Sequence, residues 1–225
     1  MRKELISHSV IKAKNEKNDN IKIILKNPES DHTNIPKIIM QTSINKPEQY
    51  TIDIINRLCL DWEYHHFVDS EIIEYFKKNP LEEFSGIIEK FNSFTRGQHK
   101  ADLFRYYYLY INGGIYLDSD ATFLQNVHHI IKDYDAIFIK TSCGQIFNGF
   151  IATVPKNPII YKALDDAYKT ENQVLLNDYF HLCKNLMRFC NENNEKENVK
   201  LYSENYRSSK IYGKYACICD DQFAE

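Results

Sequence analysis

Hydrophobic positions fall into two kinds of run along this chain. Short apolar stretches bounded by proline, glycine or polar clusters fit buried strands, and stretches with apolar residues three and four apart fit helices. Residues 37–40 follow Pro36 and precede Gln41, Thr42 and Ser43, the pattern of a buried parallel strand ending in a loop. Pro47, then Ile52, Ile55 and Leu58 at helical spacing, predicts a helix, and residues 62–68 predict the next strand. Asp69 or Ser70 is the expected cap of a further helix through Ile72, Ile73 and Phe76, with Glu71 and Glu74 on its wet face. Over residues 98–112 the spacing is helical again, with Ala101, Phe104, Tyr108 and Ile111 on one side, and Gly113 and Gly114 end that helix. A strand at 115–117 and an extended run at 121–124 follow. Strands at 136–140 and 147–154 come next, with helices from 157 to about 168 and from about 174 to 190, and the polar run 191–198 reads as a surface loop.

Strands alternating with helices across short links predict an α/β fold, a mostly parallel sheet flanked by helices, whose ligands sit at the carboxyl ends of the strands. Residues 1–33 are polar and charged, apart from a short apolar patch at 21–25, and are expected to be a flexible or peripheral segment. Residues 34–225 are expected to form a single domain, because 225 residues suffice for one substantial core. The 43% hydrophobic and 13% aromatic content rules out disorder over most of that length. A formal net charge of -3 provides no broad basic field, which argues against nucleic acid as a partner.

The sequence has no apolar run of 18 residues, and it opens on Met1, Arg2, Lys3 and Glu4. No transmembrane segment is therefore expected, and the protein reads as cytoplasmic or otherwise soluble and intracellular. Six cysteines (Cys59, Cys143, Cys183, Cys190, Cys217, Cys219) lie scattered without a disulfide framework, in keeping with a reducing compartment. Cys217 and Cys219 are expected as strand thiols, because no second Cys/His pair stands beside them to complete a metal site.

Chemistry concentrates between Arg96 and Thr122. Asp102 and Arg105 stand three apart on one helical stripe, and Asp118, Ser119 and Asp120 follow the short strand. If the chain stays extended there, Asp118 and Asp120 point the same way and converge on one spot. Two converging carboxylates repel unless a cation sits between them, and an all-oxygen site suits Mn2+ or Mg2+ with coordination positions left for phosphates.

Asp-x-Asp alone occurs often by chance, so its context matters. The string Ala101, Asp102, Leu103, Phe104, Arg105, Tyr106, continued by Gly113, Gly114, Ile115, Tyr116, Leu117, Asp118, Ser119, Asp120, resembles the signature of family 32 glycosyltransferases, sugar transferases with a DXD motif. It is similar also to the catalytic core of the large glucosylating toxins. The resemblance covers residues 35–168 approximately.

It implies a GT-A fold, Rossmann-like, and a retaining transfer of a hexose from a nucleotide-sugar donor to a hydroxyl acceptor, with UDP-sugars favoured over GDP-mannose. It also implies that Asp120 is the more direct metal ligand, that Asp118 serves metal and donor, that Asp102 bonds donor-sugar hydroxyls and that Arg105 meets the sugar and diphosphate. Gln41 and Thr42, at the end of the first strand, correspond to the nucleotide-base side, with Met40 where the family has histidine. Asn148, Gly149 and Phe150 resemble the family's N-x-F segment, which brings an asparagine to the donor.

The family's further diphosphate contact, often a histidine followed by a small residue and tryptophan, has no counterpart here. The last histidine is His181 and the sole tryptophan is Trp62, so either Asp220 or Asp221 takes that place or the element lies past the end of the sequence. A different class of function, a nucleotide-sugar-binding module of the same fold without turnover, is the alternative that this departure suggests. A two-metal phosphohydrolase is less well supported, because Asp133 and Asp135 lie in a separate segment. The remaining histidines are expected to be structural, and the Tyr106, Tyr107, Tyr108, Tyr110 cluster to be packing.

Overall fold

A sheet runs through the protein in the order β3-β2-β4-β7-β6-β8-β9-β1-β5. The computed structural model describes residues 6–7, 33–123, 127–131, 133–193, 198–209 and 213–219. In chain order the elements are β1 (Ile6–Ser7), β2 (Ile38–Thr42), α1 (Gln49–Leu58), β3 (Glu63–Phe67), α2 (Asp69–Lys78), α3 (Ile87–Ser93), α4 (Gly97–Asn112), β4 (Gly114–Leu117), β5 (Thr122–Phe123) and α5 (His128–Ile131). They continue as β6 (Ala136–Lys140), β7 (Ile146–Thr153), α6 (Pro158–Lys169), α7 (Asn172–Asn177), α8 (His181–Asn193), β8 (Val199–Ser209) and β9 (Gly213–Cys219).

Strands β3, β2 and β4 are parallel neighbours, and β6 and β8 are another parallel pair. Strand β7 sits between β4 and β6 and runs against both, so five strands of this stretch point one way and one points back. The predicted mostly parallel α/β sheet is thus the observed one. The carboxyl ends of β2, β3 and β4 share one edge, as ligand binding in such folds requires.

Alternating side chains feed two cores, one on each face of the sheet. Met40, Tyr116, Phe138 and Ile151 pack with Phe76 of α2, Phe91 of α3, Phe104 of α4, Leu164 of α6 and Leu186 of α8. Ile39, Ile115, Leu117, Ile137 and Phe150 pack on the opposite face with Ile55 of α1 and Ile130 of α5. Tyr106, Tyr107 and Tyr108 are buried in the first of these regions, which explains a helix that is apolar or aromatic on most of its circumference.

Several boundaries differ from the pattern, each for a local reason. Helix α2 starts at Asp69, with Val68 as the cap residue. The Glu71 side chain reaches back to accept the Val68 N–H at 3.0 Å, so neither Asp69 nor Ser70 caps. The helix expected over 174–190 is two helices, because Asp178 ends α7 in an extended conformation and its carboxylate accepts the Phe180 N–H at 3.3 Å. Residues 191–193 complete the last turn of α8, and the long strand β8, absent from the pattern reading, extends the sheet. Cys217 and Cys219 lie in β9 as expected. Of the segment 1–33, the patch at 21–25 lies outside the described residues. Cys59, Cys143, Cys183 and Cys190 are free thiols. Among the described residues no helix is long and apolar enough to cross a membrane.

Gly113 and Gly114 make the junction between α4 and β4 possible. Both have positive φ, 65° and 95°. A Cβ on Gly114 would stand 2.7 Å from the Ile38 carbonyl oxygen, and one on Gly113 2.7 Å from the Pro155 nitrogen. These are backbone atoms that cannot swing aside. Gly114→Ala is expected to destabilise the protein by about 2–4 kcal/mol, read as a lower urea midpoint, and an unchanged midpoint would refute the packing described here.

Candidate active site

Helix α4 crosses the sheet so that its middle turns lie beside the carboxyl end of β4, and two of its polar side chains are buried there. Asp102 is 7% exposed and Arg105 4%, so the pair is a desolvated one, unlike an i, i+3 ion pair on a wet helix face. An Arg105 Nη2 to Asp102 Oδ1 distance of 3.3 Å joins them. The guanidinium also lies over the Tyr116 ring, 4.0 Å from its centroid, stands 3.7 Å from Asp118 Oδ1, and donates to the Ala101 and Asn148 carbonyls. Burial works against the charge on Arg105, but the surrounding anionic oxygens overcome it and hold its pKa above the usual arginine value. Burial pushes the Asp102 carboxyl upward, against the pull of Arg105 and of the Asn148 amide.

Asn148 completes the buried cluster through a break in the sheet. From the pair Ile151↔Phe138 to the pair Ile146↔Lys140, β6 advances two residues while β7 advances five, so β7 carries a bulge there. The bulge reverses the alternation: Ile146 and Ile151 both pack in the α4 core, although strict period two would put them on opposite faces. Asn148 is thereby turned toward α4, where its amide donates to Asp102 Oδ1 at 2.9 Å and to the Tyr106 hydroxyl at 2.7 Å. Its own Oδ1 is buried and has no partner among the described residues. Gly149 allows the close approach, since a Cβ there would lie 2.5 Å from Asp118 Oδ2 and closer still to Phe147.

Asp118 and Asp120 do not sit in an extended segment. The Ala121 N–H bonds the Asp118 carbonyl at 3.0 Å, so residues 118–121 form a turn, and the expectation of alternate side chains converging by strand geometry is corrected. Asp118 is partly buried: its Oδ1 accepts the Tyr116 hydroxyl at 2.8 Å and faces Arg105. Asp120 is exposed at the end of the turn.

The residues at the end of β2 hold that turn. Gln41 is fully buried, donates to the Asp118 carbonyl at 2.9 Å and accepts the Tyr64 hydroxyl at 2.8 Å, so both ends of its amide are engaged within the protein. Thr42 Oγ1 lies 3.5 Å from the Tyr116 hydroxyl.

The structure therefore brings Asp102, Arg105, Asp118 and Asn148 together, with Gln41 and Thr42 behind the turn. Tyr106, expected as packing, and Tyr116, given no role from sequence, belong to the same cluster; for Tyr116 the available signal was its place in the G-G-x-Y-x-D string. Cys183 of α8 is another unforeseen neighbour, since the Asn148 backbone bonds its thiol, which burial pushes up to about 12. Asp220 and Asp221 lie outside the described residues. Among the described residues no three His, Cys, Asp or Glu side chains gather into a metal cluster, and a cavity of about 540 Å³ between α8 and the β6–β7 turn contains none of the residues named here.

The donor set fits a hard divalent ion. Asp118 and Asp120 lie two residues apart in one turn at the carboxyl end of β4 and both offer oxygen, while Asp102 and Asp118 share the single charge of the buried Arg105. An anionic substrate would add to that imbalance, and a cation would offset it.

Residues 7–137 match a family described as glycosyltransferase sugar-binding region containing DXD motif. Inositol phosphoceramide mannosyltransferase 1 of Schizosaccharomyces pombe is 27% identical over 142 residues, 60% of this chain and 43% of that protein. Mannosyl phosphorylinositol ceramide synthase SUR1 of Saccharomyces cerevisiae is 29% identical over 136 residues, 58% of this chain and 34% of its own length. An uncharacterized glycosyltransferase, L373 of Acanthamoeba polyphaga mimivirus, is 29% identical over 147 residues, 61% of this chain and 57% of that one. The matched stretch thus spans between a third and three fifths of these relatives. Among solved structures, PaToxG glycosyltransferase superposes with a TM-score of 0.50 at 18% identity, covering 70% of this chain and 69% of that chain, a likeness of fold.

Proposed function

From the premise that the chain belongs to the glycosyltransferase family whose sugar-binding region contains the DXD motif, we propose that it transfers a hexose from a nucleotide-sugar donor to a hydroxyl acceptor, with Mn2+ or Mg2+ bound at Asp118 and Asp120, and with retention of anomeric configuration. The observation that carries this reading is the buried Asp102–Arg105–Asn148 cluster set directly beside the Asp118 turn. A polar group with no partner, buried at 6% exposure as Asn148 is, costs stability unless something fills its place. A sugar hydroxyl donating to Asn148 Oδ1 would supply that partner.

In this scheme Asp102 accepts from donor-sugar hydroxyls and is held in place by the Asn148 amide. Arg105, fixed by the Tyr116 ring and two backbone carbonyls, is preorganised to face negative charge that develops as the nucleotide diphosphate departs. Asp118 and Asp120 would hold a divalent ion, which would supply Lewis-acid neutralisation of that same charge. Gln41 acts by positioning the turn through its bond to the Asp118 carbonyl, and Thr42 by its contact with Tyr116. Both lie on the side of the site proposed for the nucleotide.

Two of the relatives bear mannosyl in their names, which sets GDP-mannose beside UDP-sugars as the donor to test. The test is thermal unfolding with UDP or GDP, each with and without Mn2+, followed by detection of nucleotide released from UDP-glucose, UDP-galactose and GDP-mannose. A true ligand raises the unfolding temperature by mass action, about 2.7 kcal/mol at a hundred times its Kd. Absence of any nucleotide-dependent shift would overturn the reading. Binding without release, by transfer or hydrolysis, for every donor and acceptor tried would favour a non-catalytic nucleotide-sugar-binding module of the same fold.

A further inference from the structure

Near the end of β2, the Gln41 amide has only one orientation open to it. The side chain is fully buried, its Nε2 donates to the Asp118 carbonyl at 2.9 Å, and its Oε1 accepts from the Tyr64 hydroxyl at 2.8 Å. A backbone carbonyl can only accept, so the Nε2 side of the amide must face Asp118. The Oε1 side is then left to Tyr64, and the phenol has to be the donor. Burial pushes the Tyr64 phenol up to about 12, so that proton is in place at neutral pH. Tyr64 stands in register with Ile39, two residues before Gln41, in the parallel pair β2 and β3. Ring and amide therefore lie diagonally on one face of the sheet.

The carbonyl at the end of this chain of bonds belongs to the turn that carries both carboxylates. It accepts the Ala121 N–H at 3.0 Å as well as the Gln41 amide, and the Asp118 N–H is bound to the Gly149 carbonyl at 2.8 Å. The Asp118 side chain has holds of its own in Tyr116 and Arg105. Asp120 lies two residues further on, so its position relative to Asp118 depends on how the peptide after Asp118 is held.

We propose that Tyr64 is a positioning residue for the metal site: through Gln41 it fixes the peptide between Asp118 and Ser119, and so sets the spacing of the two carboxylates. Without the hydroxyl, Gln41 Oε1 would be a buried acceptor with no donor. The amide would relieve that by turning over or drawing back, and either movement gives up the bond to the Asp118 carbonyl. Residues that orient metal ligands in this indirect way change metal affinity by about 10- to 100-fold when removed. The inference rests on the proposed metal reading, but the two can fail separately.

The test is calorimetric titration of MnCl2 into the full chain with UDP, and in parallel with GDP, for wild type, Tyr64→Phe, Gln41→Leu and the double variant. Each single substitution is expected to weaken Mn2+ binding about tenfold. The double variant should bind no more weakly than Gln41→Leu alone, because a hydroxyl that acts through the amide has nothing to act on once the amide is gone. A Tyr64 that merely packs would lower the unfolding temperature when replaced and leave Mn2+ affinity at the wild-type value, which would overturn the proposal. Losses that multiply to about a hundredfold in the double variant would overturn it too, since Tyr64 would then act independently of Gln41. Should Tyr64→Phe not fold, Gln41→Leu reads the same link from its other end, and wild-type affinity there is equally fatal. No Mn2+ binding by the wild type would instead refute the metal reading itself.

Discussion

Replacing Arg105 with methionine is expected to destabilise the protein by about 3–5 kcal/mol at neutral pH and to eliminate turnover. Methionine preserves much of the volume, so the loss is electrostatic. Asp102, buried at 7% exposure, would then lose its guanidinium partner and keep the Asn148 amide, and Asp118 would lose the cation 3.7 Å away. The sign of the pH dependence follows from the same facts. Burial already places the Asp102 carboxyl above its ordinary value, and losing the guanidinium raises it further. Below that raised value the carboxyl of the variant takes up a proton and the unpaired charge disappears. The penalty should therefore be largest above that raised value and shrink as the pH falls through it toward the ordinary carboxylate range. Urea unfolding of both proteins across that range measures it, and a deficit that does not vary with pH would mean that Asp102 and Arg105 are not coupled as described.

The second large effect is expected at the turn. Asp120→Asn should lower turnover by at least about a hundredfold, with stability changed by less than about 0.5 kcal/mol, because Asp120 is exposed. Asp118→Asn should lower turnover similarly at a modest further cost in stability. An Asn oxygen can still accept the Tyr116 hydroxyl, but it no longer balances Arg105. In both variants the Mn2+-dependent part of the nucleotide-induced thermal shift should vanish, whereas any metal-independent part should persist. Wild-type turnover in Asp120→Asn would remove that residue from the proposed metal site.

The two predictions probe different physics of one cluster. Arg105 is held on five sides by Asp102, Asp118, the Tyr116 ring and the carbonyls of Ala101 and Asn148, so its removal is felt by the fold. Asp120 contributes a carboxylate at the wet edge, so its removal should be felt by the chemistry.

Much of this protein was legible before any coordinates. The apolar run 37–40, the helix over 98–112, the Gly113–Gly114 stop and the run 136–140 are local signals, because burial and glycine conformation act on a few residues at a time. The observed β2, α4, β4 and β6 lie where those signals put them. Asp102, Arg105, Asp118 and Asn148 were named together by the resemblance of two segments to the family's motifs. Their meeting at one end of the sheet is a property of topology: β4 and β7 are adjacent although more than thirty residues separate Leu117 from its partner Phe150.

Tertiary structure alone decided the rest. The bulge in β7 that turns Asn148 toward α4, the turn at 118–121 that replaces an extended Asp-x-Asp, and the bond from Gln41 to the Asp118 carbonyl each depend on strands brought together from distant parts of the chain. So does the bond from the Tyr64 hydroxyl to Gln41. Periodicity reports which face of an element is apolar, and that preference is set residue by residue. The direction in which a polar side chain finally points is set by the partners that compensate its burial, and only the folded chain supplies them.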